Sequence, residues 1–464
     1  MSLLSLIALP LLAVFLTPFY RNRLPIVSLL LSLALATVLG ILAVRIPIVE
    51  YVSFASPLGI VFFLDAASLF FAGVFIGIML WTALYTLQHK SDPACFVVRT
   101  VFFAGALGLV LSGDLFNLYI FFEIASISAY LLTALRQDQK GYAGAIKYMI
   151  IGSVASIFLL LAAMLIYLNI GYLTLPAIAE RFATLPRDTQ YLILLLLFVG
   201  FGIKTEIFPF NLWVADIYQA APTRVDGLFS AVLSKAYLFL LFRLLYALQP
   251  EPDVYMFLML TGLASFAVAE FSALTGRDLK RIFAYSTLGQ IGVAFLALAS
   301  HDPVVVSGAL FLIGTHAIAK MLLFFALAIV EKGTGSVRVE AFGRFRSPFL
   351  TGLFTLGFLS VLGIPPLAGF IAKWTVFKGL AAAGHLWIVF AVLLISLIEA
   401  TYFFRLLSLR ARSEKSVPLT IPPGHKVLLG SLGLGLILLG LFPGTALELC
   451  TRAAEAFLAG VPHV

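Results

Sequence analysis

The sequence predicts an all-α integral membrane protein with about 14 transmembrane helices. Of its 464 residues, 62% are hydrophobic and 11% are charged, whereas soluble domains are about 45–50% apolar and about 25% charged. The net charge of +8 is spread along the chain between apolar runs and is not clustered in one basic patch. These observations exclude a soluble enzyme, a disordered protein and a nucleic-acid-binding domain.

Each predicted helix is an apolar run of spanning length, which is roughly 20 residues. Strand-type alternation of apolar and polar residues is absent from the sequence. The expected spans lie near residues 3–20, 24–45, 59–87, 97–113, 115–135, 144–169, 190–211, 225–248, 255–275, 281–300, 304–330, 349–377, 385–409 and 427–447.

The distribution of basic residues among the connections gives an orientation. Connections after even-numbered spans carry only Arg45, Arg181 and Arg187, and the many other connecting lysines and arginines follow odd-numbered spans. Because basic residues concentrate in cytoplasmic loops, both termini are expected outside the cell. No connection is long enough for a soluble domain, so residues 1–464 are expected to form a single transmembrane domain.

Several ionisable residues interrupt these apolar runs. They are Glu123, Lys204, Lys235, Lys320 and Lys373, on five different spans. A charge near the bilayer centre costs about 2.5–3.5 kcal/mol on insertion scales, so such residues are functional candidates. Burial disfavours the charged form of lysine and a nearby carboxylate favours it, so a Glu–Lys pair can switch protonation. These residues therefore predict a proton relay.

His316 is expected to join the relay because it lies four residues before Lys320, on the same helix face. Single buried ion pairs with a structural role are the alternative for each of these groups. Glu270 is as consistent with a structural ion pair as with transport. Arg243, Lys378 and Arg405 are expected to extend their charges to the membrane interface, and they are not assigned to the relay.

Helix-breaking residues flank two of the lysines and predict discontinuous helices 7 and 12. They are Pro209, Gly363, Pro365 and Pro366. Broken helices five spans apart fit two five-helix repeats, which would be inverted because the repeat has an odd number of spans. The predicted parts are helices 1–3 in 1–96, helices 4–8 in 97–248, helices 9–13 in 255–409 and helix 14 in 427–447. Ordinary proline kinks are the alternative.

Several ordered motifs resemble the signature of antiporter-like membrane subunits. This family includes the M- and N-type proton-pumping subunits of respiratory complex I, the D-type subunits of Mrp cation/proton antiporters and related subunits of membrane-bound hydrogenases. The matching segments are 202–213, 215–223, 228–235, 278–292, 315–324 and 363–373.

The resemblance implies a fourteen-helix fold with two inverted repeats and a hydrated proton path along the membrane midplane. It implies that Glu123 and Lys204 form the coupling pair of that path, which continues through Lys235, Lys320 and Lys373. The chain departs from the family at Glu206, Asn211, Arg224 and Asp226. Glu206 is therefore an additional candidate for a relay or ion-binding site. Glu399, inside the thirteenth span, is a separate candidate that would pass protons to a neighbouring subunit.

The expected function is proton translocation within a multisubunit, redox-driven complex in a prokaryotic inner membrane. The expected partners are other membrane subunits, the lipid bilayer, protons and, in one alternative, Na⁺. That alternative is an Mrp-type antiporter component without redox partners, and another is a non-conducting scaffold subunit. With two cysteines and no nucleotide-binding fingerprint, the chain itself is expected to hold no metal or cofactor, so redox centres would lie in partner subunits.

Overall fold

The computed structural model describes residues 2–53, 59–88, 92–412 and 417–461. The predicted all-helical membrane architecture is confirmed in its main feature, because 11 helices in these ranges are long and apolar enough to cross a membrane. The number of fourteen spans stays a prediction. In chain order, the first part of the fold comprises α1 (Ser5–Phe15), the 3₁₀ segment Thr17–Arg23, α2 (Leu24–Ala43), β1 (Ile48–Ser53), β2 (Ile60–Leu64), α3 (Ala66–Thr86), α4 (Pro93–Leu111), α5 (Leu115–Ala134), α6 (Gln139–Ile170), α7 (Leu175–Arg181) and α8 (Arg187–Lys204).

The remaining elements follow a non-helical stretch after α8. They are α9 (Val214–Ala220), α10 (Thr223–Leu228), a π-helical turn (Phe229–Leu233), α11 (Ser234–Leu248), α12 (Pro252–Leu274), α13 (Leu279–Leu298), α14 (Pro303–Thr334), α15 (Val339–Arg344), β3 (Phe345–Arg346), α16 (Pro348–Leu362), α17 (Ala368–Ala382), α18 (Leu386–Arg412), β4 (Val417–Pro418), α19 (Pro423–Leu441) and α20 (Gly444–Leu458).

The chain divides into two compact units. The first unit comprises Met1–Thr205, Val232–Pro252 and Arg452–Val464, and the second comprises Glu206–Ala231 and Asp253–Thr451. The first contains α1 to α8 and α11, and the second contains α9, α10 and α12 to α19.

Aspartate side chains start many of the long helices. Asp65, Asp114 and Asp138 accept hydrogen bonds from the first-turn backbone N–H groups of α3, α5 and α6. Asp278 and Asp302 do the same for α13 and α14. Since the first N–H groups of a helix have no partner within it, these carboxylates fix where each helix begins.

A short hairpin replaces the start of one predicted span. Residues 60–64 were expected to be helical within the span 59–87, but they form β2, which pairs antiparallel with β1. The prediction was wrong here because the short run of Ile, Val, Phe and Leu in β2 is separated from α3 by only one polar residue, Asp65, which caps the helix. Such a run cannot be assigned to helix or strand by its periodicity.

Two helical runs are interrupted beside lysines. α8 ends at Lys204, and residues 205–213, which include Pro209, are non-helical before α9 begins. α16 ends at Leu362, and the next residue, Gly363, adopts a left-handed conformation with φ of 82°. Pro365 and Pro366 lie in the turn that separates α16 from α17.

Each unit also contains the same local arrangement at a helix start. In the first unit, Asp114 forms an isolated antiparallel bridge with Thr174, just after the left-handed Gly171 that ends α6. In the second unit, Asp278 bridges Arg338 in the same way, just after the left-handed Gly335 that ends α14. Burial raises the pKa of the Asp114 carboxyl to about 6, against the opposing effect of its hydrogen bonds from backbone N–H groups.

Candidate functional site

The first unit buries Lys204 against neutral hydroxyl groups. The side chain of Lys204 is 2% exposed, and its Nζ donates hydrogen bonds to Ser126 Oγ at 2.7 Å and to Tyr130 Oη at 2.8 Å. Ser126 and Tyr130 are four residues apart on α5, so they share a helix face. Ser126 Oγ is also 2.7 Å from Tyr237 Oη of α11. The ammonium of Lys204 therefore has hydroxyl acceptors that can pass on a proton.

Aromatic rings surround the same ammonium. Its Nζ lies 5.1 Å from the ring centroids of both Phe122 and Tyr130, 5.7 Å from Tyr237 and 5.8 Å from Tyr148. Ring faces attract a cation, and the attraction grows when water is excluded. The rings therefore stabilise a charge here without a direct ion pair.

Gly152 of α6 leaves room for the side chains of Tyr130 and Lys204. A Cβ built on Gly152 would lie 1.8 Å from Tyr130 Oη and 2.8 Å from Lys204 Nζ. Both distances are too short for any real side chain, so only glycine fits at this position without moving Tyr130 or Lys204.

Glu123 occupies the same face of α5, three residues before Ser126. It is close enough to Lys204 for an electrostatic interaction between the two charges. Its Oε1 atom is buried without a hydrogen-bond partner among the described residues. The first unit thus brings Glu123 and Lys204 together, with hydroxyl groups next to the lysine. Lys235, also in this unit, is 1% exposed and follows the π-helical turn, a helix irregularity that is frequent at functional sites.

The second unit buries Lys320 in a similar environment. Lys320 is fully buried, and its Nζ donates to Ser286 Oγ at 2.8 Å and to the Phe283 carbonyl at 3.1 Å. Both acceptors belong to α13 and are neutral. His316 lies one turn earlier on α14 and is buried as well.

Lys373 differs because it has a direct carboxylate partner. Its Nζ lies 3.3 Å from Glu399 Oε2 and 3.2 Å from the carbonyl of Leu362, the last residue of α16. The C-terminal carbonyls of a helix attract a cation, so the interruption after α16 itself helps to hold this ammonium. A Cβ on Gly363 would lie 2.9 Å from Lys373 Cδ, so the side chain of Lys373 passes directly over this glycine.

Glu399 links Lys373 to two further helices. Its Oε1 accepts from Gln290 Nε2 of α13 at 2.9 Å. Tyr402 lies one turn after Glu399 on α18, and its Oη donates a hydrogen bond of 2.8 Å to Glu270 of α12, which is fully buried. Glu270 and Glu399 interact electrostatically with each other and with Lys320. The second unit thus brings Lys320, Lys373 and Glu399 into one electrostatic cluster.

Two buried ion pairs were not predicted from the sequence. Lys280 is one of the basic residues expected in the connections after odd-numbered spans, but it is 1% exposed and its Nζ lies 3.0 Å from Asp226 Oδ2, within the second unit. Arg243 was expected to reach the membrane interface, but it is fully buried in the first unit. Its guanidinium binds Asp65 through two hydrogen bonds of 2.7 and 2.9 Å.

Neither pair could be predicted, because the partners lie on or next to different helices and no local spacing rule connects them. Asp65, for example, lies 178 residues from Arg243 in the sequence. Three aromatic rings, of Phe63, Phe239 and Phe457, lie 4.9 to 5.1 Å from the guanidinium and close the space around it. The presence of Asp65 and Asp226 at the ends of apolar runs was the only sequence signal available.

Glu206 is 3% exposed and has a φ of 65°, an uncommon conformation for a residue other than glycine. It lies two residues after Lys204, the last residue of α8, so a buried carboxyl group accompanies the helix break. Among the described residues, no group of three or more His, Cys, Asp or Glu side chains is arranged to hold a metal ion.

Comparisons with known proteins agree with this architecture. The family model of the transmembrane part of NADH:quinone oxidoreductase and Mrp antiporter subunits matches residues 112–399. The chain is 35% identical over 364 residues to NADH-quinone oxidoreductase subunit N of Desulforudis audaxviator. The aligned region covers 73% of this chain and 72% of that protein. It is 30% identical over 470 residues to F(420)H(2) dehydrogenase subunit N of Methanosarcina mazei, covering 95% and 94% of the two chains.

Solved structures give the same result. A chain of the membrane-bound sulfane sulfur reductase, an archaeal respiratory membrane complex, superposes with a TM-score of 0.92, 29% identity and 99% coverage of both chains. A chain of the Mrp complex from Dietzia sp. superposes with a TM-score of 0.87 at 20% identity, covering 98% of this chain and 97% of that one, and shares the fold. With the family model matching well over half of its length, the chain belongs to the NADH:quinone oxidoreductase/Mrp antiporter family of membrane subunits.

Proposed function

We propose that this chain is a proton-translocating, antiporter-like subunit of a multisubunit, redox-driven membrane complex. The observation that carries the proposal is the way Lys204 and Lys320 are buried. Each ammonium is held by neutral acceptors, and among the described residues neither has a carboxylate within ion-pair distance. A structural lysine buried this deeply needs a paired charge, whereas a lysine that releases and regains its proton is served better by hydroxyl groups.

The proposed relay consists of Glu123, Lys204, Lys235, His316, Lys320 and Lys373, with Glu399 as a further member. Glu123 and Glu399 would adjust the charge states of the lysines that they face, because a carboxylate stabilises a nearby ammonium. Proton movement at one site then changes the proton affinity of the next, which is how a conformational change elsewhere could drive transfer.

We also propose the fourteen-helix, two-repeat architecture for this chain. Its support is a constant separation of 164 positions (278 − 114 = 164) between corresponding features of the two units. The helix-capping aspartates, left-handed glycines and bridge residues recur at this spacing as the pairs Asp114 and Asp278, Asp138 and Asp302, Gly171 and Gly335, and Thr174 and Arg338. The inverted relation of the repeats, the bounds 97–248 and 255–409, and the external termini are part of the same proposal.

The proposal of a redox-driven complex rests on the proteins to which this chain is similar. Those at 30% identity or more include subunits of NADH-quinone oxidoreductase and F(420)H(2) dehydrogenase, and the sulfane sulfur reductase is described as a respiratory membrane complex. The proposed partners are therefore other membrane subunits, with any redox centres in subunits other than this one. The proposed location is a prokaryotic cell membrane.

An Mrp-type cation/proton antiporter subunit is the second candidate. The buried carboxyl group of Glu206, at the break after α8, is the feature that favours a cation site. A requirement of proton flux for Na⁺, in the absence of any electron donor, would select this candidate.

The test is proton flux in vesicles that contain the purified native complex. Glu123→Gln and Lys204→Ala are expected to abolish coupled flux while the complex still assembles. Lys378→Ala is the matched control, because Lys378 lies five residues after Lys373 on α17 but is exposed. Unchanged flux in both relay variants would disprove the relay. Loss of assembly before any loss of flux would instead identify a scaffold subunit.

A further inference from the structure

A second buried acid–base pair lies in the unit that contains Lys320. Asp226 of α10 is fully buried and Lys280 of α13 is 1% exposed, with 3.0 Å between Asp226 Oδ2 and Lys280 Nζ. Lys280 Nζ also donates a hydrogen bond to the carbonyl of Ala221. Both carboxylate oxygens of Asp226 are buried, and neither makes a hydrogen bond of good geometry among the described residues. Oδ2 is held by the charge of Lys280, and Oδ1 is available to a proton.

Three buried hydroxyl groups, of Ser230, Thr287 and Ser286, lie on α13 and on the π-helical turn that follows α10; they are called the hydroxyl row below. Ser230 follows Asp226 by four residues, and its Oγ lies 2.9 Å from Thr287 Oγ1 of α13. Ser286, the neighbour of Thr287, accepts the hydrogen bond from Lys320 Nζ at 2.8 Å. Ser230, Ser286 and Thr287 are all fully buried. On α13, Lys280 and Thr287 are seven residues apart, so they share one face of the helix.

Toward the start of α10, the groups near Asp226 are acidic and more exposed. Thr223, one turn before Asp226, donates a hydrogen bond to Glu331, which is half-buried near the end of α14. Asp278 and Glu331 both interact electrostatically with Asp226, as does Lys280. The charged groups that face Asp226 are therefore two carboxylates and one ammonium. Carboxylates at the rim raise the local concentration of protons.

We propose that Asp226 is a proton-uptake residue, which receives protons from the acidic rim and delivers them to Lys320 through Ser230, Thr287 and Ser286. This proposal rests on the proposed function, because it assumes that Lys320 takes part in transfer.

The proton balance of each step is simple. The Asp226 carboxylate takes up one proton and becomes a neutral carboxylic acid. Each hydroxyl group then accepts a proton on one side and donates its own on the other. The neutral amine of Lys320 becomes an ammonium, and Asp226 returns to its carboxylate form. No oxidant, reductant or metal is needed.

The competing explanation is a purely structural ion pair between Asp226 and Lys280. A double variant separates the two, because removing both charges leaves no unpaired buried charge. If the pair is structural, Asp226→Asn/Lys280→Met should assemble and transport protons at the wild-type rate. If Asp226 carries protons, the double variant should assemble but lose flux by about tenfold or more, as expected when a positioned proton-transfer group is removed.

The experiment compares variants of the full complex in the vesicle flux assay, across a range of pH. Asp226→Glu should retain flux with a shifted pH profile, because it keeps a carboxyl group. Asp216→Asn is the control, since Asp216 pairs with Arg281 nearby in the same unit but is 39% exposed and outside the hydroxyl row. It should transport normally.

Ser230→Ala/Thr287→Val changes no charge and should also slow flux, so it decides the question if the Asp226/Lys280 double variant does not assemble. Wild-type flux in either double variant that assembles would overturn the proton-uptake role of Asp226. Lys320→Ala separates this result from a failure of the proposed function. If Lys320→Ala is inactive while the double variant is fully active, only the role of Asp226 is wrong. Full activity of Lys320→Ala would overturn both.

Discussion

Alanine at position 152 would place a methyl group against both Lys204 and Tyr130. The added Cβ would lie 1.8 Å from Tyr130 Oη and 2.8 Å from Lys204 Nζ, whereas ordinary contact begins at 3.4 Å. Tyr130 Oη must therefore move by about 1.6 Å, which is large beside the 2.7–3.2 Å range of hydrogen-bond lengths. We expect Gly152→Ala to break the hydrogen bond between Lys204 and Tyr130.

The magnitude follows from two opposing contributions. A hydrogen bond to a charged group contributes about 1.5–3 kcal/mol, whereas replacing glycine by alanine inside a helix gains about 0.5–1 kcal/mol. The net loss in the free energy of unfolding is then about 1–2 kcal/mol. For proton transfer only the lost hydrogen bond counts, and at about 1.5–3 kcal/mol it corresponds to a change in rate of tenfold or more, since 1.36 kcal/mol is tenfold. Proton flux should fall by about tenfold or more.

The assay is proton flux in vesicles, together with the melting temperature of the purified complex. Gly77→Ala is the matched control, because Gly77 lies inside α3 and a Cβ there has no neighbour within 4 Å. This control should be neutral or slightly stabilising and should transport normally. If Gly152→Ala and Gly77→Ala gave the same flux and the same stability, the tight fit around Lys204 would have no functional importance.

Two further predictions concern stability. Arg243→Met should cost about 3–5 kcal/mol because it leaves the Asp65 carboxylate buried without its partner, and adding Asp65→Asn should restore much of the loss, as read from melting temperatures. At Asp114, the raised pKa of about 6 means that the folded protein holds a proton that the unfolded chain has already released between pH 4 and pH 6. Stability from this group is therefore present below pH 4 and falls by up to about 3 kcal/mol as the pH rises to 6. Asp114→Asn keeps an acceptor for the start of α5 and should remove this slope between pH 4 and pH 6, so an unchanged slope in the variant would contradict the assignment.

The sequence predicted the helical membrane fold well because the bilayer imposes a strong and local signal. A helix must be long and apolar, and a charge within it is conspicuous, so Lys204 and Lys320 could be singled out directly. The hydrogen-bond partners of these lysines could not be predicted in the same way. Tyr130 was not singled out because a tyrosine in an apolar run gives no polar signal, although its hydroxyl group binds Lys204.

The buried pairs could not be predicted for a related reason. Lys280 follows directly on a charged connection, and its burial depends on Asp226, which lies on another helix. Arg243 stands at a position where a long side chain could reach water, and only the packing of distant aromatic rings shows that it does not. Tertiary contacts decide whether a charge near the end of an apolar run is solvated or enclosed.

The lengths of α6 and α14 have a consequence for the surrounding lipid. Each helix has 32 residues and is therefore about 48 Å long, against about 30 Å for the hydrocarbon core of a bilayer. Helices with this surplus accommodate different membrane thicknesses by changing their tilt, at a cost of only fractions of a kcal/mol per ångström of mismatch. This applies to α6, because many of its residues are exposed, whereas α14 is largely buried in its unit and its tilt is set by its neighbours. Since α6 carries Gly152 beside Lys204, lipid chain length is a means of acting on this site without any mutation.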